Sequence, residues 1–226
     1  MRIGIIVAMD KELSLLLPML EGHETKEGLG FYFHVGTIGR HEVVIMECGI
    51  GKVNAAISTM TLLESQKPDL VINTGVAGGA DKSINVMDVV VADAIAYHDV
   101  WCGPGTDYGQ AAGMPLYFSP DAGITGLLSY SGAIKKGLIC SGDKFIDKMD
   151  SVDKIKKHFP EALAVDMESA AIAHVCHKMG VPMFCMRIIS DSPGASHNNS
   201  QQYEDFWSEA PEQTFEIVRQ LLESIK

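Results

Sequence analysis

The chain has 226 residues, 46% hydrophobic and 21% charged, which suits a single globular domain with a substantial core and excludes a disordered chain. A formal net charge of −11 repels phosphate backbones and anionic lipid, so nucleic acid and membrane are poor partners and a small molecule is the better one. No run approaches the roughly 18 apolar residues of a membrane span.

In chain order, short β-branched runs alternate with helical patterns. Residues 3–8 read as a buried strand. Residues 10–20 read as a helix, with Leu13, Leu16, Leu17 and Leu20 at helical spacing. The apolar start meets Asp10, Lys11 and Glu12 too early for a secretory leader, and no small-residue cleavage site follows, so cytoplasm is the default location. Residues 31–37 and 42–47 form a hairpin turning near Gly39 and Arg40. A helix over 52–66 stops at Lys67-Pro68. Strands are expected over 69–73, 86–92, 136–141 and 163–165. A helix over 168–179 stops at Gly180, a strongly apolar strand covers 182–189, and one long helix runs from about Tyr203 to Ile225. Stretches 101–115 and 192–201 are Gly-rich or polar and read as functional loops or surface excursions. This alternation implies an α/β fold: one domain over 1–226, with a mixed, mostly parallel central β-sheet flanked by helices on both faces.

The five cysteines are odd in number and form no CxxC pair, which favours reduced thiols over a disulfide framework, with a catalytic cysteine as the minor alternative. His174 and His177 share a helix face without a third metal ligand nearby in sequence, so no metal is expected. The glycine runs match neither GxGxxG nor GxxxxGK[ST], which argues against a dinucleotide or triphosphate loop.

Ligands of open α/β sheets collect at the carboxyl ends of the strands. Those ends deliver Met9 and Glu12, Gly49-Ile50-Gly51, Thr74-Gly75-Val76, Phe145 and Ile146, Asp166-Met167-Glu168, and Ser190-Asp191. Asp191 follows an apolar run. Burial there would raise its pKa and make it a proton donor, although Ser-Asp after a strand also reads as a helix cap. Glu12 reads either as a buried base or as a solvated first-turn acid. Two carboxyl groups facing one pocket suit glycoside hydrolysis, one protonating the leaving group and the other activating water.

Six motifs in register carry a family resemblance: MDKE at Met9–Glu12, GIGKV at Gly49–Val53, NTGVAGG at Asn73–Gly79, SGDKFI at Ser141–Ile146, AVDMES at Ala164–Ser169 and RIISD at Arg187–Asp191. Together they resemble the 5′-methylthioadenosine/S-adenosylhomocysteine nucleosidases of the purine nucleoside phosphorylase superfamily, over residue 1 to at least Phe206. The resemblance implies that Asp191 protonates adenine N7 and that Glu12, helped by Arg187, activates water. It implies that Phe145 stacks on adenine, the Ile146 backbone reads its edge, Glu168 binds the ribose hydroxyls, and Met9 and Met167 pack the sugar. Ile50, Val76, Asp166, Ser190 and Tyr203 complete the expected lining, Ile50 and Tyr203 at the 5′ group. It also implies a homodimer and no cofactor.

Four departures from the family pattern bear on the 5′ pocket. Val76 stands where serine is frequent, Asp166 where glutamate is, and Tyr203 where phenylalanine is, while Trp101–Gly105 reads WCGPG. A phosphorylase needs converging cations for phosphate. The chain has only four arginines, and of these only Arg187 falls near the site, where Glu12 is expected to neutralise it. Water is therefore the favoured nucleophile. Hydrolysis of a related adenine nucleoside, phosphorolysis, and nucleoside binding without catalysis stay open as alternatives.

Overall fold

The computed structural model describes residues 1–127, 134–193, 199–209 and 215–225. The elements are β1 (Arg2–Val7), α1 (Asp10–Leu16), β2 (Glu21–Gly28), β3 (Phe31–Ile38), β4 (His41–Glu47), α2 (Lys52–Gln66), β5 (Leu70–Asn73), β6 (Val76–Gly79) and β7 (Val89–Tyr97). They continue with α3 (Ala122–Thr125), β8 (Ile134–Ser141), α4 (Met149–His158), β9 (Ala162–Asp166), α5 (Ser169–Met179), β10 (Met183–Asp191), α6 (Asn199–Glu209) and α7 (Glu216–Ser224).

The ten strands form one mixed sheet in the order β2-β3-β4-β1-β5-β10-β6-β9-β8-β7. β10 organises it. Its first residues pair in parallel with β5, and its later ones pair in parallel with β6 and antiparallel with β7. The β10–β7 pairing closes β10, β6, β9, β8 and β7 into a ring, so half the sheet curls and loses its free edge. All nine residues of β10 are buried. Each fully buried aliphatic side chain here contributes about 1.5–3 kcal/mol. Apolar clusters cover both sheet faces: α2 and α5 supply Ala55, Leu62, Ile172 and Cys176 on one, and α1 and α7 supply Leu13, Leu16, Val218 and Leu221 on the other.

The mixed sheet between helices and the β3–β4 hairpin match the sequence expectation, and the hairpin turns at Gly39. Several boundaries differ. The first helix ends at Leu16 and tightens into a 3₁₀ turn over Leu17–Met19, because Pro18 has no N–H to continue the α-helical ladder. The strand expected over 86–92 starts at Val89 and continues to Tyr97 along β8. The single C-terminal helix is two, α6 and α7, and residues 210–214 between them lie outside those described. β2, β6, α3 and α4 were not anticipated. Four cysteines are buried and Cys102 is exposed, all as free thiols. Among the described residues no helix is long and apolar enough to cross a membrane.

Candidate active site

Glu12 enters the site from the first turn of α1, immediately beyond β1. It is only 2% exposed, so the solvated first-turn reading fails. Its Oε2 accepts from the backbone N–H of Ala8 at 2.7 Å and of Met9 at 3.2 Å. Its Oε1 accepts from the N–H of Val76 at 2.9 Å, tying α1 to the β5–β6 turn. That turn needs Gly75: its φ is +147°, and a Cβ there would collide with the Glu12 carboxylate. Burial pushes the Glu12 pKa up, and the Arg187 charge and the three N–H donors pull part of it back.

Asp191 is the last residue of β10 and also 2% exposed. It does not cap a helix, since α6 begins eight residues later at Asn199. Its Oδ1 accepts from the Ser190 hydroxyl at 2.6 Å and its Oδ2 from the Asn199 amide at 2.8 Å. Burial raises its pKa, and those two donors offset part of the rise. Glu168 sits at the N-cap of α5 and accepts from the Gly51 N–H at 2.9 Å. Burial, then the nearby Asp166 charge, lifts its carboxyl well above the usual range.

These groups border one cavity with about 590 Å³ of empty space, part of it open to solvent. Met9 and Ile50, Val76, and Ile146 and Met167 supply apolar wall. Phe145 leaves nearly half its surface free. Tyr203, on α6, meets the Phe145 ring edge-on at 5.8 Å and donates its hydroxyl to the Met9 sulfur at 3.4 Å. Every residue put forward for catalysis or substrate contact borders this cavity, Asp166 and Ser190 included.

Arg187 lies behind that wall, 2% exposed, and does not pair with Glu12 as expected. Its Nε donates to Asp166 Oδ2 at 2.7 Å and its Nη2 to Asn73 Oδ1 at 2.7 Å. Asp166 also accepts from the hydroxyls of Ser141 and Ser169. The neutralising partner is therefore Asp166, whose carboxylate faces inward, while the Arg187 charge still acts on Glu12 through space. Asn73 and Ser141 lay within quoted motifs without an assigned role. Asn199 gave no signal, lying eight residues beyond Asp191 and outside every quoted motif.

The arrangement offers two buried carboxyl groups of raised proton affinity, an uncovered aromatic face and a third carboxylate, within apolar walls. Lys144 is the one cation among the described lining residues, which leaves no fork for a phosphate. Among the described residues no cluster of three His, Cys, Asp or Glu side chains is placed to hold a metal ion.

The family model described as Phosphorylase superfamily matches residues 2–223. The chain is 39% identical over the full length of both chains to the 5′-methylthioadenosine/S-adenosylhomocysteine nucleosidase of Bacillus cereus (strain G9842). Its structure is similar to that of the nucleosidase from S. pneumoniae bound to the transition-state inhibitor MT-ImmA, with a TM-score of 0.94, 40% identity and full coverage of both chains. It is also similar to the Streptococcus pneumoniae MTA/SAH nucleosidase in complex with 8-aminoadenine, with a TM-score of 0.92, 41% identity and full coverage of both chains.

Proposed function

The chain belongs to the phosphorylase superfamily, among its 5′-methylthioadenosine/S-adenosylhomocysteine nucleosidases, and from this we infer a hydrolase of the N-glycosidic bond of both nucleosides. The products are adenine with 5-methylthioribose or S-ribosylhomocysteine. One observation carries the mechanism: Glu12 and Asp191 are both buried, both of raised pKa, and both border one apolar cavity that has no phosphate clamp among the described residues.

Adenine is a poor leaving group as an anion. Asp191 gives its proton to N7, so the C1′–N9 bond breaks with its electron pair moving into a neutral purine. The ribose becomes oxocarbenium-like, water adds at C1′, and Glu12 takes the proton that water releases. The three N–H donors on Glu12 fix where that water is met. Glu168 accepts from the ribose hydroxyls, Phe145 stacks on the purine, and the Ile146 backbone reads its edge. Met9 and Met167 pack the sugar. Ile50 and Tyr203, with Val76 adding a methyl-rich wall, receive the apolar 5′-thio group.

A homodimer belongs to this reading. Ile50, Val53, Ile57 and Met60 are all exposed at helical spacing along and just before α2, a contiguous apolar stripe on the outside of one chain. Ile50 also borders the cavity, so a second copy on that stripe would adjoin the 5′ end of the site.

Adenine release from 5′-methylthioadenosine, S-adenosylhomocysteine, 5′-deoxyadenosine and 6-amino-6-deoxyfutalosine, each with and without phosphate, tests the reading. The two thio-nucleosides should be turned over best and independently of phosphate. Phosphate-dependent release of a ribose 1-phosphate would replace hydrolysis by phosphorolysis.

A further inference from the structure

Asp191 must do two opposed things. It must hold a proton at working pH, which burial favours, and it must become a buried anion when it gives that proton away, which burial opposes. It is almost fully buried at the cavity wall, so little water can solvate that anion. Two neutral donors stand in for water: the Ser190 hydroxyl on Oδ1 at 2.6 Å and the Asn199 amide on Oδ2 at 2.8 Å. Ser190 comes from the same strand as Asp191. Asn199 comes from a different element, the first residue of α6, and is itself buried.

The other end of the Asn199 amide is informative. Its Oδ1 is buried with no hydrogen-bond partner among the described residues. A buried amide oxygen left unpaired is unfavourable, and a turn-forming or helix-capping role would give that oxygen a backbone N–H to accept from. Its amide N–H donates to the acid instead. Among the described residues the hydrogen-bond partner of this amide is Asp191, to which it presents a donor that suits the carboxylate.

We propose that Asn199 is a positioning residue for the acid: its amide grips Asp191 Oδ2 and stabilises the carboxylate formed as the proton passes to the base. The same helix carries Tyr203, one turn on, whose hydroxyl meets Met9 and whose ring meets Phe145. α6 thus supports the acid and walls the substrate pocket through one rigid element. Among the described residues the other charged or titratable groups at the pocket are Glu12 on α1, Asp166 at the end of β9, Glu168 at the N-cap of α5, Lys144 beyond β8 and Tyr203 on α6, with Arg187 of β10 behind the wall. None of them has a hydrogen bond to Asp191 among those of the described residues, which leaves Ser190 and Asn199 as its direct partners.

The inference rests on Asp191 being the acid, so the test carries a control for that. Asn199→Asp suits the first residue of a helix as well as asparagine does, but removes the N–H donor and sets a second carboxyl beside the first. Asn199→Ala removes the donor alone. In both, kcat on 5′-methylthioadenosine should fall by about tenfold or more, the loss of one hydrogen bond to a charged group. The alkaline limb of the kcat/KM profile should move to higher pH, further in Asn199→Asp. KM should change less than kcat, and far-ultraviolet circular dichroism should match the parent enzyme. Folded variants with the parent kcat and an unmoved alkaline limb would overturn the role, as would a loss confined to KM. Asp191→Asn run in parallel separates the two ideas. If it abolishes turnover while the Asn199 variants stay normal, only this inference fails. If it leaves turnover intact, the assignment of the acid fails first.

Discussion

Glu12, Glu168 and Asp191 are carboxyl groups placed where ionisation is opposed by burial, and in each the pKa moves upward with burial as the largest cause. A carboxyl whose folded pKa lies above its unfolded value binds its proton more tightly in the folded state. Its stabilising contribution is full below the unfolded value and is lost as pH rises through the folded one. For Glu168 the ordinary value is 4.5, so the loss falls at pH above that. Glu168→Gln keeps an oxygen for the Gly51 N–H and removes the titration. We expect its melting temperature, relative to the parent, to be higher at about pH 8 than at its ordinary carboxyl pKa, while turnover falls because the ribose acceptor is lost. Equal differences at both pH values would show that Glu168 does not titrate as the burial argument requires. In the proposed mechanism the sign for activity is opposite at the two groups. Asp191 acts protonated, so rate should be lost as pH rises, and Glu12 acts ionised, so rate should be lost as pH falls.

At the scale of elements, the site depends on turns that bring backbone N–H groups to side-chain carboxylates. The β5–β6 turn is the tightest case, with Gly75 against Glu12 and the Val76 N–H on its Oε1. Gly75→Ala forces a Cβ into that carboxylate at a φ that L-residues avoid. It should destabilise the fold by about 1–3 kcal/mol and lower kcat at least tenfold or so by displacing Glu12, readable by urea titration and steady-state kinetics. A parent-like kcat would mean that the geometry of Glu12 is not limiting.

The same turn shows what the sequence conceals. Strands rich in Val and Ile, such as β1 and β10, are legible because burial on both faces demands a continuous apolar run. β6 reads VAGG, which looks like a loop. It is a strand because β10 and β9 supply its hydrogen bonds, a tertiary fact that local propensity does not contain. β2 reads EGHETKEG and is almost wholly exposed, so it has no alternation to detect. In the site, Glu12 and Asp191 stood out because charged residues beside apolar strands are rare. The Arg187–Asp166 pair was mistaken for Arg187–Glu12 because strand-end positions alone do not say which carboxylate an arginine reaches. Asn199 was invisible for the same reason, eight residues from its partner and outside every motif.

At the scale of the whole molecule, the chain carries an apolar stripe that the described residues leave uncovered, with Val53 69% exposed. In the proposed homodimer a second copy of the chain would cover this stripe. Val53→Asp combined with Ile57→Asp should convert a dimer to a monomer in size-exclusion chromatography with light scattering. Because Ile50 belongs to both stripe and cavity, kcat/KM should fall with it. A parent chain that runs as a monomer would remove the dimer from the account.

In the proposed mechanism Asp191, buried at the cavity wall, gives a proton to the departing adenine while Glu12 activates water. Steady-state adenine release by Asp191→Asn, paired with calorimetric binding of an unreactive 5′-methylthioadenosine analogue, tests it most directly. The expected result is a loss in kcat of about 100-fold or more with analogue affinity retained within a few fold. Turnover near that of the parent enzyme would contradict it.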